Sequence, residues 1–539
     1  MAGILAERSS RRREGMREDQ PIIRASPSNR LSARTPALMA ILALAAVVLI
    51  YPLGGVLRPS DPPPIVVVTL AFRLALSYLV FQTLGFWFYT GITIFRTRPI
   101  SGVAESERLS ANAPKAAVVV PIRDEPTSVI QRMLSAVAKI TYPEFEVVIV
   151  DNSTSSLELD SELHDQPGIS LRVLRKPDTV GFKAGAVNLA LRSLPADVEY
   201  VLLLDVDQAP TPDVLNILVP HLEHDAGLAF VQAPQRYVEN GHASVGRAFD
   251  LQQAVFYDLV CPGLSTGGVL FMCGSNVLIR KAALDTVGGL DETSLAEDLR
   301  TSLQLHRAGW KGIYCTETVA LGYPPRDLPA YHTQQRRWAI GTFQNYLAAW
   351  RLFFRSPRTL SLEQWLVYLG WNGTWYFQGF ANLALAWCLL VFLVAGFRPF
   401  DSRVDWAPVL LAFPTLLFQW LWYAVPRKLS ITRVCRPNAI FFGNSILFVA
   451  AAIDAAIGRK VSFQVTRKDE GSASPVSRLF IGYHAFYVVS CAAAIALSVA
   501  RRQPFIPVGP WVVLWLALAA LCLRVSASHP APLESAPSQ

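Results

Sequence analysis

Long apolar runs without charge alternate along the chain with stretches whose apolar positions follow the periods of strands and helices. Seven runs lack Asp, Glu, Lys and Arg: 37–57, 74–95, 372–397, 407–426, 437–453, 479–500 and 503–523. A helix needs ~20 apolar residues to cross ~30 Å of hydrocarbon, which most of these runs supply. Run 37–57 is too long for a signal peptide, follows a 36-residue tail and precedes no small-residue cleavage site. Arg73, near the start of the second run, is expected to snorkel to an interface. The eight Arg of residues 1–36 assign that tail to the cytoplasm, and the second run returns the chain there before Arg96 and Arg98. Residues from about 97 to 360 then form one cytoplasmic domain.

Within that domain, β-branched apolar runs predict strands at Ala116–Ile122, Phe145–Val150, Leu171–Leu174, Tyr200–Leu204 and Leu228–Val231. Helical patterns fall between them at Ser128–Lys139, Lys183–Leu194 and Pro212–Leu222. The last is expected to have Thr211 as N-cap and Pro212 in its first turn. Buried strands alternating with helices imply an α/β sheet covered on both faces, with ligands at the carboxyl ends of the strands.

Composition narrows the class. With 52% hydrophobic and 17% charged residues and a mean hydropathy of +0.31, the chain is neither a disordered regulator nor an ordinary cytosolic enzyme. The net charge is +8, and half of that excess sits in the tail, with eight Arg against four acids. No basic surface for nucleic acid is implied. Seven scattered Cys without a C-x-x-C pair argue against a disulfide framework or a zinc site.

Acidic residues stand where such a sheet would use them. Asp151 follows the second strand, and Asp205-Val206-Asp207 follows the fourth. A lone Asp after a strand is commonly a turn residue. Two carboxylates at i and i+2 suit one hard divalent cation held together with substrate phosphates. Glu297-Asp298 opens a helical pattern through Leu299, Leu303 and Leu305, either complementing the helix dipole or supplying a general base. Gln334-Gln335-Arg336-Arg337-Trp338 offers an Arg fork for phosphate and an indole for a sugar face; the alternative is a juxtamembrane basic patch with an interfacial Trp.

In this order the elements resemble the processive, membrane-embedded family-2 glycosyltransferases, the cellulose synthases and their relatives among chitin and hyaluronan synthases. Lys183-Ala184-Gly185 and Phe271-Met272-Cys273-Gly274-Ser275-Asn276 resemble segments of the bacterial cellulose synthases. Phe463-Gln464-Val465-Thr466-Arg467-Lys468 fits their F-x-V-T-x-K gating loop. The resemblance implies a GT-A-like domain, a mixed sheet with helices on both faces, inserted between transmembrane helices. It implies, position by position, Asp151, Lys183, Asp205, Gln334, Arg337, Thr466 and Lys468 on the nucleotide sugar, and Asp205 and Asp207 on Mg²⁺ or Mn²⁺. Asp298, with Glu297 beside it, would be the base for the acceptor hydroxyl, and Trp338 and Cys273 would meet the acceptor sugar. The expected activity is inverting polymerisation of a nucleotide sugar, UDP-glucose to a β-glucan, with translocation of the polymer across an inner or plasma membrane. Cell-envelope partners would receive it outside.

A gating loop must face the cytoplasm, so run 437–453 is expected to lie along the interface, leaving six spanning helices with both termini inside. The expected organisation is a tail at 1–36, two helices at 37–96, the transferase domain at 97–360, two helices and an interfacial helix at 361–458, the gating loop at 459–478, two helices at 479–525 and a tail at 526–539. No cyclic-di-GMP-binding PilZ domain is expected after the gating loop. Asn372, Gln378, Asn382, Gln419 and His484 are either channel-lining or paired between helices. Ala296 stands where the cellulose synthases usually have Thr before Glu-Asp, and Gln208 where they often have His. These departures leave sugar and linkage open, with UDP-N-acetylglucosamine, GDP-mannose or a lipid acceptor as alternatives. A transporter or receptor with a degenerate nucleotide domain would lack an acidic element, and all are present.

Overall fold

The strands form because β-branched runs here are buried on both faces. In the computed structural model, which describes residues 62–96, 113–154, 170–238, 244–371, 375–397, 439–459, 475–505 and 508–527, ten strands are present. They are β1 (Lys115–Ile122), β2 (Phe145–Asp151), β3 (Leu171–Arg175), β4 (Val198–Leu203), β5 (Ala209–Pro210), β6 (Leu228–Gln232), β7 (Arg236–Tyr237), β8 (Val277–Arg280), β9 (Lys311–Tyr314) and β10 (Ala320–Gly322). Seven make a mixed sheet in the order β3-β2-β1-β4-β8-β6-β9, in which β8 alone runs antiparallel to its neighbours. A small second sheet, β5-β10-β7, lies beyond it.

The helices of the described residues are α1 (Pro63–Arg96), α2 (Thr127–Val137), α3 (Phe182–Ser193), α4 (Val214–His224), α5 (Ser244–Val255), α6 (Cys261–Gly267), α7 (Lys281–Val287), α8 (Glu297–Arg307), α9 (Leu328–Arg355), α10 (Leu362–Trp365), α11 (Gln378–Ala395), α12 (Ser445–Ala456), α13 (Pro475–Ala500) and α14 (Gly509–Ala527). Strand alternation sorts them. Ala116, Val118 and Val120 of β1 share a core with Ile130, Met133 and Leu134 of α2 and Leu215 and Leu218 of α4. Helices α3 and α7 cover the other face, against β1, β2 and β4. The order reverses between β1 and β4: from β1 the chain builds outward through β2 and β3, then returns to the far side of β1 as β4. Ligand sites in open α/β sheets lie at such a switch point, outside the carboxyl ends of the strands.

Four described helices are long and apolar enough to cross a membrane: Pro63–Ile94, Gln378–Ala395, Val476–Ala500 and Gly509–Ser526. Runs 37–57 and 407–426 lie outside the described residues. Two expectations are corrected. Arg73 is not at a helix start; α1 begins at Pro63, and Arg73 is buried within it, 9% exposed. A charge-free run marks what hydrocarbon tolerates, whereas backbone hydrogen bonds begin where proline fits the first turn. Thr211 is not an N-cap; α4 starts at Val214. The Thr211 N–H instead donates to the Val319 carbonyl at 2.8 Å, and the Pro212 carbonyl accepts from the Thr141 N–H at 2.8 Å. Together with the Val214 N–H, which donates to the Thr211 carbonyl at 3.2 Å, these bonds place both residues in a turn between β5 and α4. Helix α12, 12 residues, is shorter than a span and is tied to α9 by an ion pair between Asp454 and Arg336.

Candidate active site

Four charged side chains from three elements meet at the β1/β4 switch point. Helix α3 is entered through Gly181 at φ 73° and Phe182 at φ 50°, a left-handed turn that aims Lys183 back across the strand ends. Its ammonium donates to Asp205 Oδ1 at 2.5 Å and to the Gly274 carbonyl at 2.7 Å, and lies 4.0 Å from Glu297 Oε1. Asp205 follows β4, and its N–H donates to Ser275 Oγ at 2.9 Å. Glu297 and Asp298 open α8, as the sequence pattern predicts. Gly274, at φ 80°, is what lets the loop pass between them: a Cβ there would stand 3.2 Å from Asp298 Oδ2 and 3.7 Å from Lys183 Nζ.

Burial and crowding set the charges. Burial first, then the neighbouring Glu297 carboxylate, push Asp298 up to about 7, although the Leu299 N–H donates to its Oδ1 at 2.7 Å. Burial also raises Glu297, against the opposing pull of Lys183 and Arg337. For Lys183, burial works against the charged form, but Asp205 and Glu297 outweigh it and hold the ammonium above its usual value. A carboxyl poised near neutrality beside a fixed cation has the character of a general base.

The loop that carries Cys273 is clamped by its backbone. The Cys273 N–H donates to Gln232 Oε1 at 2.7 Å, and its carbonyl accepts from Gln235 Nε2 at 2.8 Å. Asn276 Nδ2 donates to Gln208 Oε1 at 3.2 Å, tying this loop to the turn after β4. Arg132 Nη1 donates to the Asp207 carbonyl at 3.2 Å, with its guanidinium 4.3 Å above the Tyr323 ring. Gln208, Gln232, Ser275, Asn276 and Arg132 are therefore positioning residues that sequence reasoning did not assign. The only signals were the Gly-Ser-Asn turn chemistry and the amide directly after the acidic pair.

Helix α9 presents the Gln-Gln-Arg-Arg-Trp segment. Gln334 and Arg337, three apart, share a face, and Arg336 lies roughly 100° further round on Asp454. Gln334 Oε1 is buried with no hydrogen-bond partner among the described residues. Trp338 is partly buried, its ring 6.1 Å from that of Phe249. Helix α9 is locked to the start of α8: Asn345 Nδ2 donates to the Ala296 carbonyl at 2.8 Å, and Arg300 Nε donates to Asn345 Oδ1 at 2.7 Å. Asp151 stands apart from the acidic cluster. It is buried, with Oδ2 2.6 Å from Arg175 Nη1 and Oδ1 accepting from the Ser153 N–H at 2.9 Å. Thr466 and Lys468 lie outside the described residues.

Asp205 and Asp207 offer hard oxygen donors on one turn, and the Asp205 side chain is 44% exposed. That donor set fits a divalent ion whose remaining ligands are water and phosphate. Among the described residues, no three His, Cys, Asp or Glu gather into a site that would hold an ion unaided.

The described residues thus combine a GT-A-like mixed sheet, an acidic cluster at its switch point and four apolar helices long enough to cross a membrane. Residues 114–341 match the family model described as Glycosyltransferase like family 2. A UDP-forming cellulose synthase of Dictyostelium discoideum, in its catalytic polypeptide, is 33% identical over 207 residues, 37% of this chain and 19% of that protein. Glucomannan 4-beta-mannosyltransferase 2 of Arabidopsis thaliana is 28% identical over 246 residues, 44% of this chain and 46% of that protein. The matches thus span less than half the length of either relative. A mannosyltransferase from Pyrobaculum calidifontis, solved with GDP-Man and Mn²⁺, has a similar fold, with a TM-score of 0.52, 19% identity, and coverage of 73% of this chain and 100% of that one. The chain carries a family-2 glycosyltransferase domain with a GT-A-like fold.

Proposed function

We propose that this chain is a processive, inverting β-glycosyltransferase that polymerises a nucleotide sugar, with UDP-glucose as donor, and passes the polymer through its membrane helices. The observation that carries this reading is the convergence of Lys183, Asp205, Glu297 and Asp298 at one strand end, next to the helix bearing Gln334, Arg337 and Trp338. Asp298 takes the proton of the acceptor hydroxyl as that oxygen attacks the anomeric carbon. The bond to the diphosphate breaks on the opposite face, so an α-linked donor yields a β-linkage. Asp205 and Asp207 would hold Mg²⁺ or Mn²⁺, which when bound offsets the charge of the departing diphosphate. Gln334 and Arg337 bind that diphosphate, and Asp151 lies toward the base of the nucleotide. Trp338 stacks on the terminal acceptor sugar, with Cys273 beside it. Thr466 and Lys468 close over the nucleotide. The domain faces the cytoplasm of an inner or plasma membrane, between the spanning helices expected from the sequence.

A mannosyl donor is the second reading, favoured by the glucomannan 4-beta-mannosyltransferase among the relatives. The test is incorporation of label from UDP-glucose, UDP-N-acetylglucosamine and GDP-mannose by the purified chain in lipid with Mg²⁺ or Mn²⁺, followed by linkage-specific digestion. Polymer from UDP-glucose, lost in Asp298→Asn, is the expected result. Polymer from GDP-mannose alone replaces the donor. Absence of nucleotide binding overturns the reading.

A further inference from the structure

The transfer step leaves one thing unexplained about the Lys183 ammonium, its direct seat on Asp205. Among the described residues it bridges α3, the end of β4 and the loop before β8, with Asp205 Oδ1 at 2.5 Å, the Gly274 carbonyl at 2.7 Å and Glu297 Oε1 at 4.0 Å. Its side chain is 17% exposed and that of Glu297 12%, whereas Asp205 is 44% exposed. The ammonium thus approaches from the protein side and occupies an oxygen of the carboxylate that faces outward. That oxygen belongs to the pair suited to a divalent ion.

We propose that Lys183 is a resident, displaceable cation on Asp205, which withholds that carboxylate from a divalent ion until a nucleoside diphosphate arrives. This rests on the transferase reading and adds to it an order of assembly. The two carboxylates of the Asp205-Val206-Asp207 turn carry two negative charges, and the ammonium cancels one. What is left is a poor site for a hydrated divalent ion, which sheds its waters reluctantly. An ammonium and a divalent ion on the same carboxylate repel each other. A diphosphate removes the conflict by bringing both new oxygen ligands and new negative charge. The ammonium gains a second anion to contact and keeps the Gly274 carbonyl and Glu297 behind it. Ion and diphosphate are then taken up as a coupled pair, and the resting site stays closed to free metal.

The test is Mn²⁺ binding, read as loss of the free-ion electron paramagnetic resonance signal on titration into the full chain in lipid nanodiscs. It is run without nucleotide, with UDP and, separately, with GDP, each corrected for Mn²⁺ bound by nucleotide alone. Wild type is expected to bind Mn²⁺ about tenfold or more tightly with a nucleoside diphosphate than without, the scale of one charge-assisted hydrogen bond. Lys183→Met is expected to gain about that factor in nucleotide-free affinity, and Lys183→Arg to keep the coupling. Equal Mn²⁺ affinity with and without nucleotide in wild type overturns the proposal, and that arm does not depend on whether a variant folds. Coupled binding in wild type with unchanged nucleotide-free affinity in a folded Lys183→Met overturns the role of Lys183 alone. Failure of wild type to bind any nucleotide overturns the transferase reading as well.

Discussion

Replacing Asp298 by Asn tests base and stability together. Folding raises this carboxyl from the usual 3.8 to about 7, through burial and then the adjacent Glu297. At 1.36 kcal/mol per pH unit, holding it ionised in the folded chain costs up to ~4 kcal/mol relative to the unfolded chain. Solvent screening of this half-buried side chain reduces that figure, so ~1–2 kcal/mol is expected to appear in unfolding. Between pH 3.8 and about 7 the folded state keeps a proton that the unfolded state has lost, so this group lowers stability as pH rises through that window, with the full cost above it. Asp298→Asn escapes the cost. Thermal unfolding in nanodiscs should show the variant more stable than wild type at pH 8, with the difference vanishing toward pH 4. Sugar transfer should fall by about 10²–10⁴-fold in the variant, and the wild-type rate should rise with pH through about 7. A variant keeping more than about a tenth of the transfer rate, or a stability difference that does not change with pH, refutes the reasoning.

Two further outcomes follow from local geometry. Gly274→Ala places a Cβ 3.2 Å from Asp298 Oδ2 on a backbone at φ 80°, at ~1–3 kcal/mol of strain, so transfer should drop by about tenfold or more while UDP binding, measured by titration, is retained. Arg175→Leu leaves the buried Asp151 carboxylate with the Ser153 N–H and should lower stability by about 1–3 kcal/mol, seen as a lower thermal midpoint; an unchanged midpoint means the pair is not needed.

Much of this was legible in the sequence, for reasons particular to each element. Strands β1, β2, β4 and β6 could be read because a strand buried on both faces is a near-continuous apolar run, and their ends were placed to within a few residues. Glu297 and Asp298 were expected in a first helical turn and are found there, since the 3.6-residue pattern after them fixes the helix. The acidic pair at Asp205 and Asp207 was legible because a hydrophobic strand ended abruptly in carboxylates.

Periodicity is a local signal, so it reads elements and not the forces between them. Thr211-Pro212 has the chemistry of a helix start, yet backbone bonds to Val319 and Thr141 tie it into a turn, and the helix begins only at Val214. Arg73 looked like a flank and is buried within a helix. Gln334 to Trp338 could be read as a unit, but only the turn of α9 separates Arg336, committed to Asp454, from Arg337, whose charge reaches Glu297. No spacing brings Lys183, Gly274 and Asp298, more than a hundred residues apart from first to last, within reach of one another. The sheet does so by reversing its order between β1 and β4 and delivering three loops to one point. The amino-acid sequence by itself determined the residue types, the elements and the class of chemistry. Which charges meet, how far Asp298 is raised, and which cation sits on Asp205 were decided only in the tertiary structure, because electrostatic coupling depends on distance and burial through space and not on order along the chain.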